Sequence, residues 1–238
     1  MKKATLSFLT AKVDGFDFVI FEPKEHIQVS WKLEMYYEPD MIEFIHRNYK
    51  GGTFVDIGAC IGNHTLAFSR VADRVVAFEP MPQVFIHLLS NIVLNKITNT
   101  IAYNIALGNK KGVERMVFVK GSAGGGEVRK NGNYSVPILR LDDFKLKNVT
   151  LIKIDVQEQE AQVLNGAKNT IKTNKPDIFI ECNTTLDEVF TLEFLKEIDE
   201  RYEQYPESFC PSPSYLFTTK KLDTFKRNIK YRRDKNDN

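Results

Sequence analysis

Residues 54–65 read FVDIGACIGNHT. The apolar pair Phe54-Val55 leads to an acid, Asp56. Gly58 and Gly62 follow four positions apart, and the polar trio Asn63-His64-Thr65 closes the stretch. The order is strand, acid, glycine turn, helix start, and the flanking chain extends it. RVVAFEP (74–80), TIAYN (100–104), TLIKIDV (150–156) and PDIFIEC (176–182) are short apolar runs of strand length, and GVERMVFV (112–119) is a further strand or hairpin arm. Between them lie helical patterns. DMIEFIHRNY (40–49) puts Met41, Ile42, Ile45 and Tyr49 on one face, and HTLAFSRVA (64–72) follows the glycine turn. MPQVFIHLLSNIVLN (81–95) turns Phe85, Leu88, Leu89 and Ile92 inward, and EAQVLNGAKNTIK (160–172) reads as one helix with Leu164, Ala167 and Ile171 inward. TLDEVFTLEFLKEIDERY (185–202) is a long amphipathic helix, and SYLFTT (214–219) a last strand.

Alternation of this kind predicts an α/β fold, a mostly parallel sheet with helices on both faces. Strands that are continuously apolar are those buried on both sides. In such sheets a ligand sits at the carboxyl ends of the strands, near the point where strand order reverses. The residues ending the strands, Asp56, Glu79, Asn104, Asp155 and Glu181, are therefore the candidate site.

The glycine turn selects among ligands. A P-loop requires Gly-Lys-Ser or Gly-Lys-Thr, and neither tripeptide occurs in the sequence. A dinucleotide turn requires G-x-G-x-x-G, but counting from Gly58 the second and third glycine positions hold Cys60 and Asn63. The remaining pattern, acid-x-G-x-x-x-G, suits S-adenosylmethionine. A strand-end carboxylate, Asp56, can hold the ammonium, Gly58 lets backbone approach the ligand, and the helix start at Gly62-Asn63 offers N–H groups to the carboxylate. Glu79, 21 positions after Gly58, ends the next strand, where an acid accepts from both ribose hydroxyls. Asn104 ends the third.

The combination FVDIGACIGNHTLAFS, VVAFEP, NIALGN, LDDF, LIKIDVQEQEAQVLNGA and PDIFIEC, in that order over about residues 34 to 183, resembles the FkbM family of S-adenosylmethionine-dependent methyltransferases. The resemblance implies a Rossmann-like class I methyltransferase fold and O-methylation, often of sugars or sugar-bearing natural products. Three residues depart from the family pattern. Cys60 stands where Asn is common, Gln157 where Glu is common, and Glu158 replaces a Gly.

Methyl transfer to a hydroxyl depends on alignment and on a base that removes the proton. Asp155, at the end of LIKID and expected beside the cofactor sulfur, is the first candidate; Glu158 and Glu160 follow in the turn, Glu181 ends the next strand, and His64 sits on the glycine turn. A divalent cation on Asp155, Glu181 and Asn183 is the alternative route to an activated hydroxyl. No spacing demands it, so a metal is not expected. The expected acceptor is a small molecule or glycan. Nucleic acid is disfavoured, because no lysine ends a strand among the candidate acids and the body of the chain is acidic. A non-catalytic cofactor-binding module is the remaining reading.

The chain has 238 residues, 42% hydrophobic and 27% charged, the balance of a globular domain with a core. No apolar run approaches the roughly 18 residues of a membrane span. In the opening MKKATLSFLTAK the apolar run is broken by Thr5, Ser7 and Thr10, which reads as an N-terminal strand rather than a signal peptide. Cys60, Cys182 and Cys210 form neither a disulfide framework nor a zinc pattern, so a reducing, cytoplasmic setting is expected. The sequons at Asn63, Asn133, Asn148 and Asn183 are then chance occurrences. The net charge of +2 divides into a basic segment, 220–238, with eight Lys/Arg against three Asp, and a body at −3. The expected organisation is one methyltransferase domain over 1–219, with 1–49 a strand and helix lead-in, and a flexible tail over 220–238. Nothing in the residues fixes an oligomeric state.

Overall fold

A computed structural model describes residues 8–21, 34–118, 126–206, 208–209 and 214–222. Cys210, most of the GSAGGG loop and residues 223–238 of the basic tail lie outside the described residues.

The chain opens with an antiparallel hairpin of β1 (Phe8–Val13) and β2 (Phe16–Phe21). Asp14 and Gly15 both have positive φ, 47° and 81°, which is the two-residue turn that Asp-Gly favours between twisted strands. Helix α1 (Pro39–Asn48) starts on a proline and buries Met41, Ile42, Phe44 and Ile45. Then come β3 (Thr53–Ile57), α2 (Asn63–Ser69), β4 (Arg74–Phe78), α3 (Pro82–Leu94) and β5 (Thr100–Tyr103). Four short strands follow, β6 (Ala106–Leu107), β7 (Gly112–Phe118), β8 (Gly126–Val128) and β9 (Tyr134–Leu139). The chain ends through β10 (Val149–Ile154), α4 (Glu160–Gly166), α5 (Lys168–Asn174), β11 (Asp177–Glu181), α6 (Thr185–Ile198), β12 (Glu203–Gln204) and β13 (Ser214–Thr218).

The central sheet has the order β12-β13-β11-β10-β3-β4-β5. From β11 to β5 every pairing is parallel, and β13 runs antiparallel to its two neighbours. Strand order reverses at β3, which has β4 on one side and β10 on the other, so the crevice opens above the ends of β3 and β10. Both faces are apolar. Val55, Ile57, Ile152, Ile154, Ile178 and Ile180 pack on α4, α5 and α6. Phe54, Leu151 and Phe179 pack on α1. The smaller sheet, β6-β9-β7-β8, shares an apolar cluster with the start of α3 through Met116, Val136, Met81 and Val84.

Two helices differ from the sequence expectation. The stretch 160–172 is not one helix but α4 and α5, parted at Ala167. The second helix has its own remote cap, because the Asp142 carboxylate accepts the N–H groups of Asn169 and Thr170 at 3.0 and 2.7 Å. In α3 the inward face is Val84, Leu88, Asn91 and Ile92, and Leu89 is 40% exposed. The polar Asn91 turns inward because it bridges two segments. Its Oδ1 accepts from Val19 N at 2.8 Å and its Nδ2 donates to Ile61 O at 2.8 Å, tying the hairpin to the glycine turn.

Candidate active site

Side chains alternate along a strand, so i and i+2 share a face. On β3 that joins Phe54 to Asp56; on β10, Leu151 to Lys153 and Asp155; on β11, Phe179 to Glu181. The register sets Lys153 beside Asp56 on one side and Phe179 on the other, and just past the last paired residues the Asp155 and Glu181 side chains meet. Asp56, Lys153, Asp155 and Glu181 therefore lie on the same face of adjacent strands, the face covered by α1 and α2. The sequence expectation was that no lysine ends a strand among the acids; Lys153 lies inside β10, one residue before its end, and yet stands among them. It is 3% exposed, and its Nζ lies 3.1 Å from Asp155 Oδ2. The i, i+2 spacing of Lys-Ile-Asp was the sign that would have found it.

A cavity of about 720 Å³ opens here. Gly58, Cys60, Asn63, His64, Glu79, Asp155, Glu158 and Glu181 line it, together with Tyr37, Glu38 and Lys153. Asp56, Gly62 and Asn104 stand behind its wall. Asp56 is fully buried; one oxygen accepts from Thr65 Oγ1 at 2.5 Å, and Oδ1 has no hydrogen-bond partner. Asn104 Nδ2 donates to the carbonyls of Glu79 and Pro80, both at 2.8 Å, and so fixes the turn after β4. The glycines answer to the protein's own crowding. A Cβ on Gly58 would stand 1.9 Å from Asp155 O, and one on Gly62 2.9 Å from Leu88 Cδ1; both residues have positive φ. Glu79 is held by two backbone donors, Cys60 N on one oxygen and Met81 N on the other, each at 2.9 Å.

The second wall comes from the lead-in segment. The Asn63 amide grips Tyr37, accepting from its N and donating to its O, both at 2.9 Å. Glu38 follows at φ 60° in the N-cap position of α1, yet its side chain makes no cap bond. It reaches the cavity instead, with Oε2 3.1 Å from Nε2 of the buried His64. The three departures from the family pattern, Cys60, Gln157 and Glu158, all have positive φ, at 50°, 50° and 67°. The Glu160 carboxylate supports that turn by accepting from Val156 N at 3.2 Å. Burial raises its pKa above the usual range.

The electrostatics separate the two paired carboxyls. Burial would raise Asp155, but the Lys153 ammonium outweighs it and holds Asp155 below the usual carboxylate range. Burial and the facing Asp155 push Glu181 up to about 7. Burial also works against the charge on Lys153, but Asp155, Asp56 and Glu38 overcome it and hold the lysine protonated. Glu38 stays ionised against its burial through His64 and Lys153. Among the described residues no group of three His, Cys, Asp or Glu is placed to hold a metal ion. No helix among them is long and apolar enough to cross a membrane.

A smaller cavity of about 320 Å³ adjoins the first past Gly58, Pro80 and Val156, with Phe78, Ile105, Leu107 and Ile138 in its walls. Sequence reading did not mark it, since its apolar lining reads as core and its polar lining, Asn109, Lys110, Glu114, Gln159 and Gln162, is scattered along the chain. The two spaces fit S-adenosylmethionine. Glu79 presents a carboxylate fixed by two backbone donors to a diol, and the partly apolar space beside it has room for a base ring, whereas Asp56 stands behind the wall and out of a ligand's reach.

The Methyltransferase FkbM domain matches residues 56–205. Methyltransferase 1 of Beauveria bassiana (strain ARSEF 2860) is 26% identical over 186 residues, covering 60% of this chain and 75% of that protein. The crystal structure of Methyltransferase FkbM from Methylobacillus flagellatus KT superposes with a TM-score of 0.55 at 17% identity, over 70% of this chain and 43% of the other. This chain thus spans less than half the length of that structure, and the likeness shows the fold.

Proposed function

This chain belongs to the FkbM methyltransferase family, and on that premise we propose that it methylates a hydroxyl of a sugar, glycan or glycosylated small molecule. It is an S-adenosylmethionine-dependent methyltransferase with the class I fold. The observation that carries the acceptor reading is the Asp155–Glu181 pair on the cavity wall, one carboxyl held ionised and its neighbour pushed up to about 7. A neutral hydroxyl is a poor nucleophile and gains from a base whose pKa lies near the working pH. Glu181 is that base. Asp155 orients it and raises its affinity for the proton. The rest of the wall, Tyr37, Gln157, Glu158 and Asn183, offers hydrogen-bonding groups of the kind a polyol uses. Bound S-adenosylmethionine supplies an electrophilic methyl group on a sulfonium. Glu79 would hold its ribose, and the Gly58–Cys60 turn and the Tyr37–Glu38 wall would take its amino-acid end.

Incubation with labelled S-adenosylmethionine and fractionated glycans, nucleic acids and proteins tests this reading. Label is expected in the glycan and small-molecule fraction; label confined to nucleic acid or protein overturns it. The cofactor assignment has its own test. Glu79→Gln should weaken S-adenosylhomocysteine binding about tenfold by calorimetry, the scale of one charge-assisted hydrogen bond. The protein should remain folded, since the amide oxygen still accepts one backbone N–H.

The basic tail is proposed as a solvated end. Lys220 is tied to the domain, because its Nζ bonds Asp177 Oδ2 at 2.8 Å. A deletion should therefore begin after Leu222. Removal of 223–238 is expected to leave turnover on a neutral acceptor unchanged, and a large loss there would contradict it; a loss on an anionic acceptor, mainly at low salt, would mark electrostatic steering instead.

A further inference from the structure

Lys153 brings the cavity a charge of which the bond that holds Asp155 ionised uses only part. A lysine with a 4% exposed side chain ordinarily loses its proton or is costly to keep charged. Here three carboxylates surround it: Asp155 at 3.1 Å, Asp56 on the neighbouring strand and Glu38 from the lead-in wall. A counterion role would explain the charge. It does not explain the location, because Lys153 is among the residues that line the cavity, between the base pair Asp155–Glu181 and the glycine turn. An ammonium also has three donors, and the bond to Asp155 uses one. The other N–H groups are available to an oxygen that enters beside Asp155.

We propose that Lys153 is a catalytic residue, its ammonium donating a hydrogen bond to the acceptor hydroxyl oxygen so that this hydroxyl yields its proton to Glu181 more readily. The inference rests on the hydroxyl-acceptor reading given above and adds the group that acidifies the acceptor. In the step, the acceptor oxygen forms its bond to the methyl carbon as the carbon–sulfur bond breaks. The sulfur keeps that electron pair, and the hydroxyl proton passes to the Glu181 carboxylate. Lys153 gives up no proton. It stabilises the negative charge that gathers on oxygen before the new bond is complete, as a preorganised donor does in a site shielded from water. Asp56 and Glu38 matter because they keep it cationic, so the acidic surroundings that seem wasteful for a hydroxyl site are what maintain the donor.

The test compares Lys153→Met and Lys153→Arg with the unaltered enzyme on two probes, a methyl glycoside and its deoxyfluoro analogue, whose fluorine makes the neighbouring hydroxyls more acidic. On the glycoside, Lys153→Met should lower kcat roughly 10- to 100-fold, the scale of a hydrogen bond from a charged donor. On the fluorinated probe the loss should be several times smaller, because that hydroxyl needs less help. S-adenosylhomocysteine affinity should stay within about twofold, the reproducibility expected where no cofactor contact is lost. If removal of the buried cation prevents folding, Lys153→Arg retains the charge and carries the test, with a smaller loss that is again less on the fluorinated probe. Equal losses on both probes would make Lys153 a structural counterion and overturn the inference while leaving the hydroxyl reading intact. An unaltered enzyme that methylates neither probe nor any glycan fraction would instead sink the hydroxyl reading, and the inference with it.

Discussion

Asp155→Asn is expected to lower turnover by about 10²-fold or more, with S-adenosylhomocysteine affinity little changed. The substitution keeps the size of the side chain and removes its charge, and three consequences follow from the contacts. Lys153 loses its 3.1 Å partner, so the buried ammonium is no longer held at the cavity wall. Glu181 loses the facing charge that helps to push it up to about 7, so it becomes a weaker base. The end of β10 itself should stay in place, because its backbone is fixed independently by the bond from Asp155 N to Ile57 O at 3.1 Å. The variant therefore has a recognisable pH profile. The acid limb of kcat should move from near 7 towards the ordinary glutamate range, so the fold-loss is greatest well above pH 7. A variant with full activity, or one with an unmoved limb, would place the catalytic group elsewhere, with His64 the next candidate. The same assay with EDTA decides the cation alternative. Loss of wild-type transfer on chelation, restored by Mg²⁺, would make Asp155 a metal ligand.

The frame of the site could be read from the residues because it rests on local pattern. Apolar runs ending in acids mark strand ends, and the sheet does place Asp56, Glu79, Asp155 and Glu181 at its carboxyl edge. What escaped depends on register and on segments remote in sequence. Lys153 reads as one polar interruption in a buried strand until the pairing sets it beside Asp56. Glu38 reads as a residue before a helix; only the fold shows it turned away from α1 towards His64. The division of labour between the wall and its support was hidden for the same reason. Gly58 is required by the carbonyl of Asp155, and Asn63 spends its side chain on Tyr37. The split at Ala167 depends on Asp142, a cap about 28 residues away from the helix it starts, which no helix-end rule applied along the chain would find.

Glu181→Gln should be more damaging than Asp155→Asn on the hydroxyl acceptor, about 10³-fold in kcat, because it removes the proton acceptor itself. The sign of the pH dependence follows from the direction of the shift. A base works in its ionised form, so wild-type kcat should rise with pH through about 7 and level off above it. In Glu181→Gln that limb should vanish, leaving a low, flat profile. Stability should move the other way. A carboxyl whose folded pKa is raised from 4.5 to about 7 binds more protons in the folded state than in the unfolded one between those values, so folding loses stability as pH rises through that window. Glutamine carries no such penalty. Glu181→Gln should accordingly melt close to wild type at pH 4.5 and above it at pH 8, measured with no cofactor present. Gain of stability at pH 8 together with loss of the kinetic limb would assign both effects to one group, a base kept reactive at the expense of the fold. If the limb persists while the stability gain appears, Glu181 is a buried acid of the sheet edge and the proton leaves by another route. If the melting temperatures do not diverge with pH, burial and Asp155 do not hold Glu181 where its surroundings indicate.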